Sequence, residues 1–291
     1  MPKKAKKQKV SASKRGQSAP VVPKASGPSF AESFVRVAEI PKLHDPLLVV
    51  GLPGVGFVSK LAVDHLVSTL KAKRFATLYS PYFPNQVVAL ASGRLRLFSM
   101  RFYFAKMKKR DFVFLKGDLQ PLTIEGQYEV SAKALSFFSS LGGKEVLAMA
   151  GFAVNKQQES PSVFCTSTSK REYQKFLKLG AKKGSQTVPI VGLGGLVPGL
   201  APIFGATGAC LLVETPGNTI DARGAKALVE MLGKLAGEKF NTRHLDEHAK
   251  KAEALLKGLE QQAQQAQAEA AKAGELAAPE LAKRENLTYI R

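Results

Sequence analysis

The sequence predicts an α/β fold in which a mostly parallel sheet is sandwiched by helices. Short runs of Val, Ile and Leu, such as LLVVG at 47–51 and ACLLVET at 209–215, alternate with segments of helical spacing. Strands that are buried on both faces give continuous apolar runs, and the intervening helices supply the crossovers that parallel strands need. A chain of 291 residues, 45% of them hydrophobic, is long enough to bury a large core.

The first half of the chain contains the following elements in order. LLVVG is apolar throughout and predicts a buried strand, and 53–72 predicts a helix that opens with Gly and Pro. The next strand lies near 73–79. Two β-rich runs within 86–106 flank Ser92-Gly93-Arg94, which indicates a β-hairpin at one edge of the sheet.

The second half continues the alternation of strands and helices. The predicted elements are a strand at 111–117, a helix at 126–141 that ends at Gly142-Gly143, a strand at 145–152, a helix at 169–180, a glycine-rich segment at 190–200, a strand at 209–215 and a helix at 221–237. In such sheets, ligands and functional loops gather at the carboxyl ends of the strands.

Four regions differ in composition. Residues 1–28 carry eight Lys or Arg and no acid, have no periodic apolar face, and predict a disordered basic tail. Residues 29–240 form the α/β domain and carry 27 basic and 15 acidic residues, a net charge of +12. Residues 241–278 predict an Ala-rich heptad helix, and 279–291 a flexible tail.

The heptad helix predicts a C-terminal helical arm. Leu245, Ala249, Ala252 and Leu256 begin a series of 4-3 spacings that continues for five heptads. Most residues of this seam are Ala, so the area that each turn can bury is small and association through the seam alone is weak.

The glycine-rich bend at 51–56 does not match either nucleotide-binding template. In a P-loop a Lys follows the second glycine, but Phe57 follows Gly56 here. In the dinucleotide fingerprint, Ser59 stands where the third glycine belongs. We therefore expect a tight turn between strand and helix, with weak anion binding by a loop of Gly51, Pro53, Gly54 and Gly56 as the alternative.

Candidate catalytic side chains are few. Asp118 and Glu214 lie at strand ends, where α/β enzymes place carboxylates, but such residues also bond nearby backbone N–H groups. His244, Glu247 and His248 match an inverted zinc-protease pattern, yet a polar helix face explains them as well. We predict no cofactor, no metal and no catalytic residue. The two cysteines do not form a disulfide framework, which favours a reducing cytoplasm.

Taken in order, five motifs resemble the archaeal proteasome assembly chaperone family. The resemblance spans about residues 42–240 and the last few residues of the chain. The motifs are VVGLPGVGFVSKLAVDHL, FVFLKGDLQP, GQYEVSAKALSFFSSLGGKEVLAMAGF, IVGLGGLVPGL and CLLVETPGNTIDARGAKALVEML.

This resemblance implies a sandwich similar to nucleoside phosphorylases, a ring-shaped homo-oligomer and no established chemistry. It also implies that the C-terminus binds the α-ring of the proteasome core, through Leu287, Tyr289, Ile290 and Arg291 here. In the family motif the Tyr is penultimate and follows a hydrophobic residue, whereas Tyr289 is third from the end and follows Thr288. Packing of the tail on its own globule is the alternative.

Three functions follow as hypotheses. The first is a non-catalytic assembly factor that binds proteasome core α-subunits or related proteins. The second is an enzyme with a nucleoside or nucleotide pocket, such as a phosphorylase or an ATP-dependent ligase. The third is weak, non-specific nucleic-acid binding through residues 1–28. No apolar run approaches the roughly 20 residues that cross a bilayer, so no membrane association is expected.

Overall fold

A computed structural model of the chain describes residues 30–155, 159–185, 187–250 and 254. Within these residues, nine strands form one sheet and two form a separate ladder. The strands are β1 (Phe34–Val37), β2 (Leu47–Gly51), β3 (Lys73–Tyr79), β4 (Val87–Ala89), β5 (Leu95–Leu97), β6 (Met100–Ala105), β7 (Phe112–Gly117), β8 (Glu145–Ala153), β9 (Val163–Ser167), β10 (Lys182–Lys183) and β11 (Thr207–Thr215).

Five helices cover the sheet in the described part of the chain. They are α1 (Val58–Thr69), α2 (Ile124–Ser140), α3 (Lys170–Lys178), α4 (Leu193–Leu200) and α5 (Ala222–Ala236). A sixth helical segment begins at residue 245 and is followed to 250. None of the described helices is long and apolar enough to span a membrane.

The α/β class is confirmed, and the sheet as a whole is mixed. Its strand order is β1-β3-β6-β7-β2-β8-β11-β9-β10. The centre, β7-β2-β8-β11, is parallel as predicted, whereas β1, β3 and β6 are antiparallel to their neighbours and β9 is antiparallel to β11. Because β7, β2, β8 and β11 run in the same direction, their carboxyl ends meet at one edge, which we call the carboxyl edge.

Two hydrophobic cores lie on the two faces of the sheet. One contains buried residues of α1, α3 and α5, with Phe112 and Phe114 of β7. The other contains buried residues of α2 and α4, with Phe75 of β3 and Phe102 of β6. Because β2 is buried along its whole length between these layers, its sequence is apolar throughout.

The first helix begins at Val58 rather than at residue 53. Gly54 is extended, and Gly56 and Phe57 both have left-handed backbone conformations, with φ of +63° and +57°. An α-helix cannot continue through such residues, so the bend occupies the first five residues of the predicted helix. Phe57 is one of the few non-glycine residues with a positive φ in the described part of the chain.

Four elements do not follow from the sequence pattern. The strands β1, β9 and β10 were not predicted, and α4 forms within the glycine-rich segment 190–200. Glycine and proline are poor helix formers, so tertiary packing must overcome the propensity of α4. Leu193 and Val197 are fully buried, and Gly195 lies so close to Ile190 that a Cβ atom would clash with the backbone.

The two predicted β-rich runs within 86–106 contain three strands. β4 and β5 pair with each other, and Gly93 in the turn between them has a φ of +77°. β6 instead enters the interior of the large sheet between β3 and β7, because Met100 and Phe102 bury their side chains there. The predicted placement of the hairpin at one edge of the large sheet is therefore wrong: β4 and β5 form a ladder of their own, and β6 lies inside the large sheet.

The start of the predicted heptad helix packs on the α/β body. Leu245 and Ala249 are buried in the same core as α1 and α5, together with Phe240. The ring of His248 lies edge-on to the ring of His65 in α1, with centroids 5.3 Å apart. The rest of the predicted arm lies outside the described residues.

A candidate binding site at the carboxyl edge

The glycine-rich bend is built for close packing between β2, α1 and β11. A Cβ atom on Gly51 would lie 2.3 Å from Val63 Cγ2 and 2.6 Å from the carbonyl oxygen of Ser59. A Cβ atom on Gly56 would lie 2.3 Å from Thr215 Oγ1. Gly54 is different, because its nearest neighbour would be Gln120 Nε2 at 3.9 Å. Two of the three glycines are therefore required by the architecture.

Gln120 joins this bend to the start of α4. Its Nε2 donates a hydrogen bond to the carbonyl oxygen of Pro53 at 2.6 Å, and its Oε1 accepts one from the N–H of Leu193 at 2.8 Å. Gly192, with a φ of +78°, leaves the space that the amide group occupies. The side chain thus satisfies a free N–H at a helix N-terminus, where an anion would otherwise be favoured.

A cavity of about 430 Å³ lies beside the bend. It opens at the carboxyl edge between the bend, the last residues of β8 and the segment that precedes α4. Its apolar wall includes Leu52, Val55, Ala150, Phe152, Ile190 and Leu212.

The polar side chains of this cavity are already hydrogen-bonded to the backbone. Ser59 Oγ donates to the carbonyl oxygen of Leu52 at 2.7 Å, and Gln127 Nε2 donates to that of Pro121 at 3.3 Å. No titratable side chain is found among the described residues that line the cavity. The cavity can therefore accommodate an apolar group, but it supplies no acid or base for chemistry.

Asp118 is held by two arginines rather than directed into the cavity. It forms ion pairs with Arg96 and, at 2.8 Å, with Arg101, and it accepts the N–H of Ser99 at 3.3 Å. Burial alone would raise the pKa of Asp118, but the hydrogen bonds and charges of the two arginines outweigh it and lower the pKa. Asp118 thus links β5, β6 and the end of β7 through its two arginines.

Glu214 also has a structural role. Its carboxylate accepts the N–H of Ser162 at 2.8 Å, and its own N–H donates to the carbonyl oxygen of Ser162 at 3.1 Å. These bonds fix the entry into β9 beside β11. The structure brings Gly51, Pro53, Gly54 and Gly56 together, while Asp118 and Glu214 point to other partners.

The remaining reactive groups do not form a catalytic arrangement in the described residues. Burial raises the pKa of Cys165 and of Cys210 to about 12, so neither thiol is a nucleophile near neutral pH. His244 is exposed and pairs with Glu247 at 3.4 Å, while His248 contacts His65. Within 30–155, 159–185, 187–250 and 254, no group of three or more His, Cys, Asp or Glu residues could hold a metal ion.

Exposed apolar side chains lie at the cavity, in the segment after β7 and on the β4–β5 hairpin, which the ion pair of Arg96 with Asp118 joins to the end of β7. We call this surface the apolar edge; it comprises Val55, Val87, Leu95, Leu97, Leu122, Ile124, Phe152, Val188 and Val191. Val191 is 87% exposed, Leu122 78% and Leu95 73%. Several large exposed apolar side chains in one region mark a candidate protein-interaction site.

Neither the role of Gln120 nor the apolar edge is predicted by the sequence pattern. The hairpin is indicated only by two short β-rich runs on either side of a turn. This pattern does not predict which of its side chains remain exposed. The predicted tail residues Leu287, Tyr289, Ile290 and Arg291 lie outside the described residues.

Comparison with known proteins places these features in context. The family model described as the PAC2 family matches residues 48–260. The chain is 34% identical, over 221 residues, to the uncharacterized protein MJ1210 of Methanocaldococcus jannaschii, which covers 76% of this chain and 85% of that protein.

Two solved structures from Pyrococcus furiosus are similar. PbaB, described as an archaeal proteasome activator, is 34% identical and superposes with a TM-score of 0.71 over 79% of this chain and 99% of its own. PbaA, described as an archaeal homolog of proteasome-assembly chaperone, shares 23% identity and the fold, with a TM-score of 0.66 over 81% and 99% of the two chains. The family match and the identity to MJ1210 show that this chain belongs to the PAC2 family.

Proposed function

We propose that this protein is a non-catalytic assembly factor that binds α-subunits of the proteasome core or related proteins. PbaB, which is 34% identical over most of both chains, is described as a proteasome activator. The observation that carries the proposal is the apolar edge, which offers a large uncovered surface to another polypeptide at the position where α/β enzymes place their substrates.

The chemistry of the carboxyl edge supports binding rather than catalysis. Asp118 is paired with two arginines, and Glu214 is bonded to the backbone of Ser162. General acid–base catalysis needs a side chain that can reach the substrate and exchange a proton with it. The carboxylates at this edge are already engaged with other parts of the protein.

The chain ends supply the second part of the proposal. Residues 279–291 would form a tail in which Leu287, Tyr289 and Ile290 insert into an apolar cleft and the terminal carboxylate of Arg291 meets a basic group. The α/β domain of residues 29–240 would associate into a cytoplasmic ring, with the helix of 241–278 as an arm. Residues 1–28 would remain a separate basic tail.

A pull-down with purified proteasome α-subunits tests the tail. We expect the full-length chain to capture the subunits, and a chain lacking residues 287–291 to lose them. A chain whose last five residues are the same amino acids in another order is the matched control. Equal capture by all three chains, or capture by none, would disprove docking through the tail.

Light scattering tests the oligomer. The mass of the full-length protein is compared with that of a chain lacking residues 243–291. If the α/β domain holds the ring together, both chains give the same number of subunits. Because Leu245 and Ala249 belong to the core, a shorter deletion from residue 251 serves as the control for damage to the body.

The second candidate is an enzyme with a nucleoside or nucleotide pocket in a phosphorylase-like fold. The cavity of about 430 Å³ beside Pro53 and Gly54 favours it, because small-molecule sites have similar volumes. Isothermal titration with nucleosides, nucleotides and phosphate distinguishes the two proposals. Saturable heat that disappears in a Gly54→Leu variant would support the pocket, and an absence of heat at high ligand concentration would exclude it.

A further inference from the structure

One side of strands β1 and β3 is not covered by a helix in the described part of the chain, whereas on β6 Tyr103 and Ala105 pack against the core beneath α1 and α5. No side chain of β1 or β3 belongs to the core beneath α1 and α5, although the opposite side of both strands is buried under α2. We call the uncovered side the open face. The strand register places Phe34, Arg36, Arg74, Thr77 and Tyr79 on it.

The open face carries a cluster of aromatic rings. Phe34 lies opposite Tyr79, and their rings stack with centroids 5.5 Å apart and an interplanar angle of 30°. Phe30, which is 52% exposed, meets Phe34 edge-on at 5.0 Å. Aromatic rings of soluble proteins are usually buried, so three neighbouring rings at the surface indicate a partner that can stack on them.

The same face carries arginines that lack carboxylate partners. Arg36 and Arg74 are exposed, and neither forms an ion pair among the described residues. Two carboxylates near the face are paired with basic side chains, whereas Glu39, which follows β1, is exposed and forms no ion pair among the described residues. Asp118 is held by its two arginines, and Asp64 by Lys60 and by Lys116, whose Nζ lies 2.5 Å from Asp64 Oδ1. The open face is therefore aromatic and positively charged.

We propose that the open face binds single-stranded nucleic acid. Single strands bind to uncovered sheets by stacking their bases on aromatic rings while arginines contact the phosphates. The site consists of the described residues alone. The positive charge of residues 1–28, with eight Lys or Arg and no acid, would add to the general attraction for phosphate but is not part of the site. This activity does not depend on the apolar edge or on proteasome subunits.

An acidic polypeptide is the other partner that the arginines would suit. It would pair with Arg36 and Arg74, but it would not use the rings of Phe30, Phe34 and Tyr79. Nucleic acid uses both, so the combination of ring cluster and unpaired arginines favours it. A labelled polyglutamate therefore provides the competing probe.

The test is fluorescence anisotropy with full-length protein and labelled oligothymidylate and oligouridylate of about twelve nucleotides, a typical site size for such surfaces. Tyr79→Ala is expected to weaken binding about tenfold, as loss of one stacked base does, and Tyr79→Phe to leave it unchanged. The double variant Arg36→Glu and Arg74→Glu should also lower the slope of log K against log salt by about 0.7 for each lost phosphate contact.

Matched control variants distinguish binding at the open face from a general effect of the protein's charge. Tyr128→Ala removes an exposed ring from α2 on the opposite side of the sheet, and the double variant Lys178→Glu and Lys226→Glu makes the same charge change on α3 and α5. Both controls should retain nearly full affinity. A chain lacking residues 1–28 should bind more weakly but keep its dependence on Tyr79.

Several outcomes would overturn the proposal. They are an absence of saturable binding at low salt, equal losses in the two double variants, and unchanged affinity in Tyr79→Ala. Binding of polyglutamate but not of oligonucleotide would identify an acidic polypeptide as the partner. Unfolding midpoints of every variant are measured in parallel, so that a loss of affinity in a folded protein is distinguished from unfolding.

Discussion

The two halves of the sheet differ in how far helices cover the faces of their strands. In the half formed by β7, β2, β8 and β11, helices cover both faces and the strands are almost wholly buried. At β1 and β3, helix α2 covers one face, and no side chain of the other face belongs to the core beneath α1 and α5. Both halves contribute to the core, but only the half with β1 and β3 leaves one face of its strands without a helix.

The largest expected effect on stability comes from removing a ring from the covered half. Phe114 of β7 is fully buried and contacts Phe112 edge-on, so Phe114→Ala should lower the free energy of unfolding by about 3–5 kcal/mol. Phe34→Ala on the open face should cost about 1 kcal/mol, because that ring is only partly buried. Urea unfolding monitored by circular dichroism measures both.

Similar losses of unfolding free energy in Phe114→Ala and Phe34→Ala would contradict the difference between the two halves of the sheet. They would mean that a further part of the protein covers the open face, since an uncovered ring cannot lose as much burial as an enclosed one. Repeating the measurement with a chain lacking residues 1–28 identifies whether that segment provides the cover.

Two glycines of the same bend give the next prediction. Gly51→Ala should destabilise the protein by about 2–3 kcal/mol, because the new methyl group would overlap Val63 and the backbone of Ser59. Gly54→Ala, with extended backbone and open space, should change stability by less than about 0.5 kcal/mol. Thermal unfolding of both variants measures the difference. A large loss at Gly54 would show that this residue also has an architectural role.

The buried central strands and β3 could be predicted from the sequence, whereas β1, β9, β10 and α4 could not. Strands such as 47–51 and 209–215 are apolar throughout because both faces are buried, and that pattern is visible without a structure. The short strand β1, with the sequence FVRV, gives no such signal. The helix α4 was missed because its stability comes from tertiary contacts that overcome its glycines.

The candidate site was predictable to a similar extent. The bend at 51–56 was correctly expected to be a tight turn, and bonding to nearby groups was the stated alternative for Asp118 and Glu214. The role of Gln120 was not predictable, because it depends on contacts with Pro53 and Leu193, which are distant in the sequence. Chain patterns reveal burial within one element but not which elements meet.

Acid sensitivity tests the ion pairs that border the open half. The folded pKa of Asp118 lies below its usual value of 3.8, so its contribution is fully present above that pH and is lost as the pH falls through the folded pKa. Asp118→Asn should lower stability by about 1–2 kcal/mol at neutral pH and flatten the decline below pH 4. Urea unfolding at a series of pH values measures this. Glu230→Gln, which alters an exposed residue of α5, is the control and should leave the profile unchanged.

The smallest effect on stability is expected at the hairpin, where the effect on binding should be large. Leu95→Ser with Leu97→Ser changes two exposed side chains of the apolar edge, so the free energy of unfolding should change by less than about 0.5 kcal/mol. Capture of proteasome α-subunits should fall about tenfold or more if these side chains lie at the centre of the interface. Ile203→Ser, at a residue that is 77% exposed and follows α4 at the opposite end of the sheet, is the matched control. Equal capture by the hairpin variant and the control would mean that loss of exposed apolar side chains has no effect at either end of the sheet. The hairpin part of the apolar edge would then not belong to the binding surface, and the C-terminal tail would remain as the candidate.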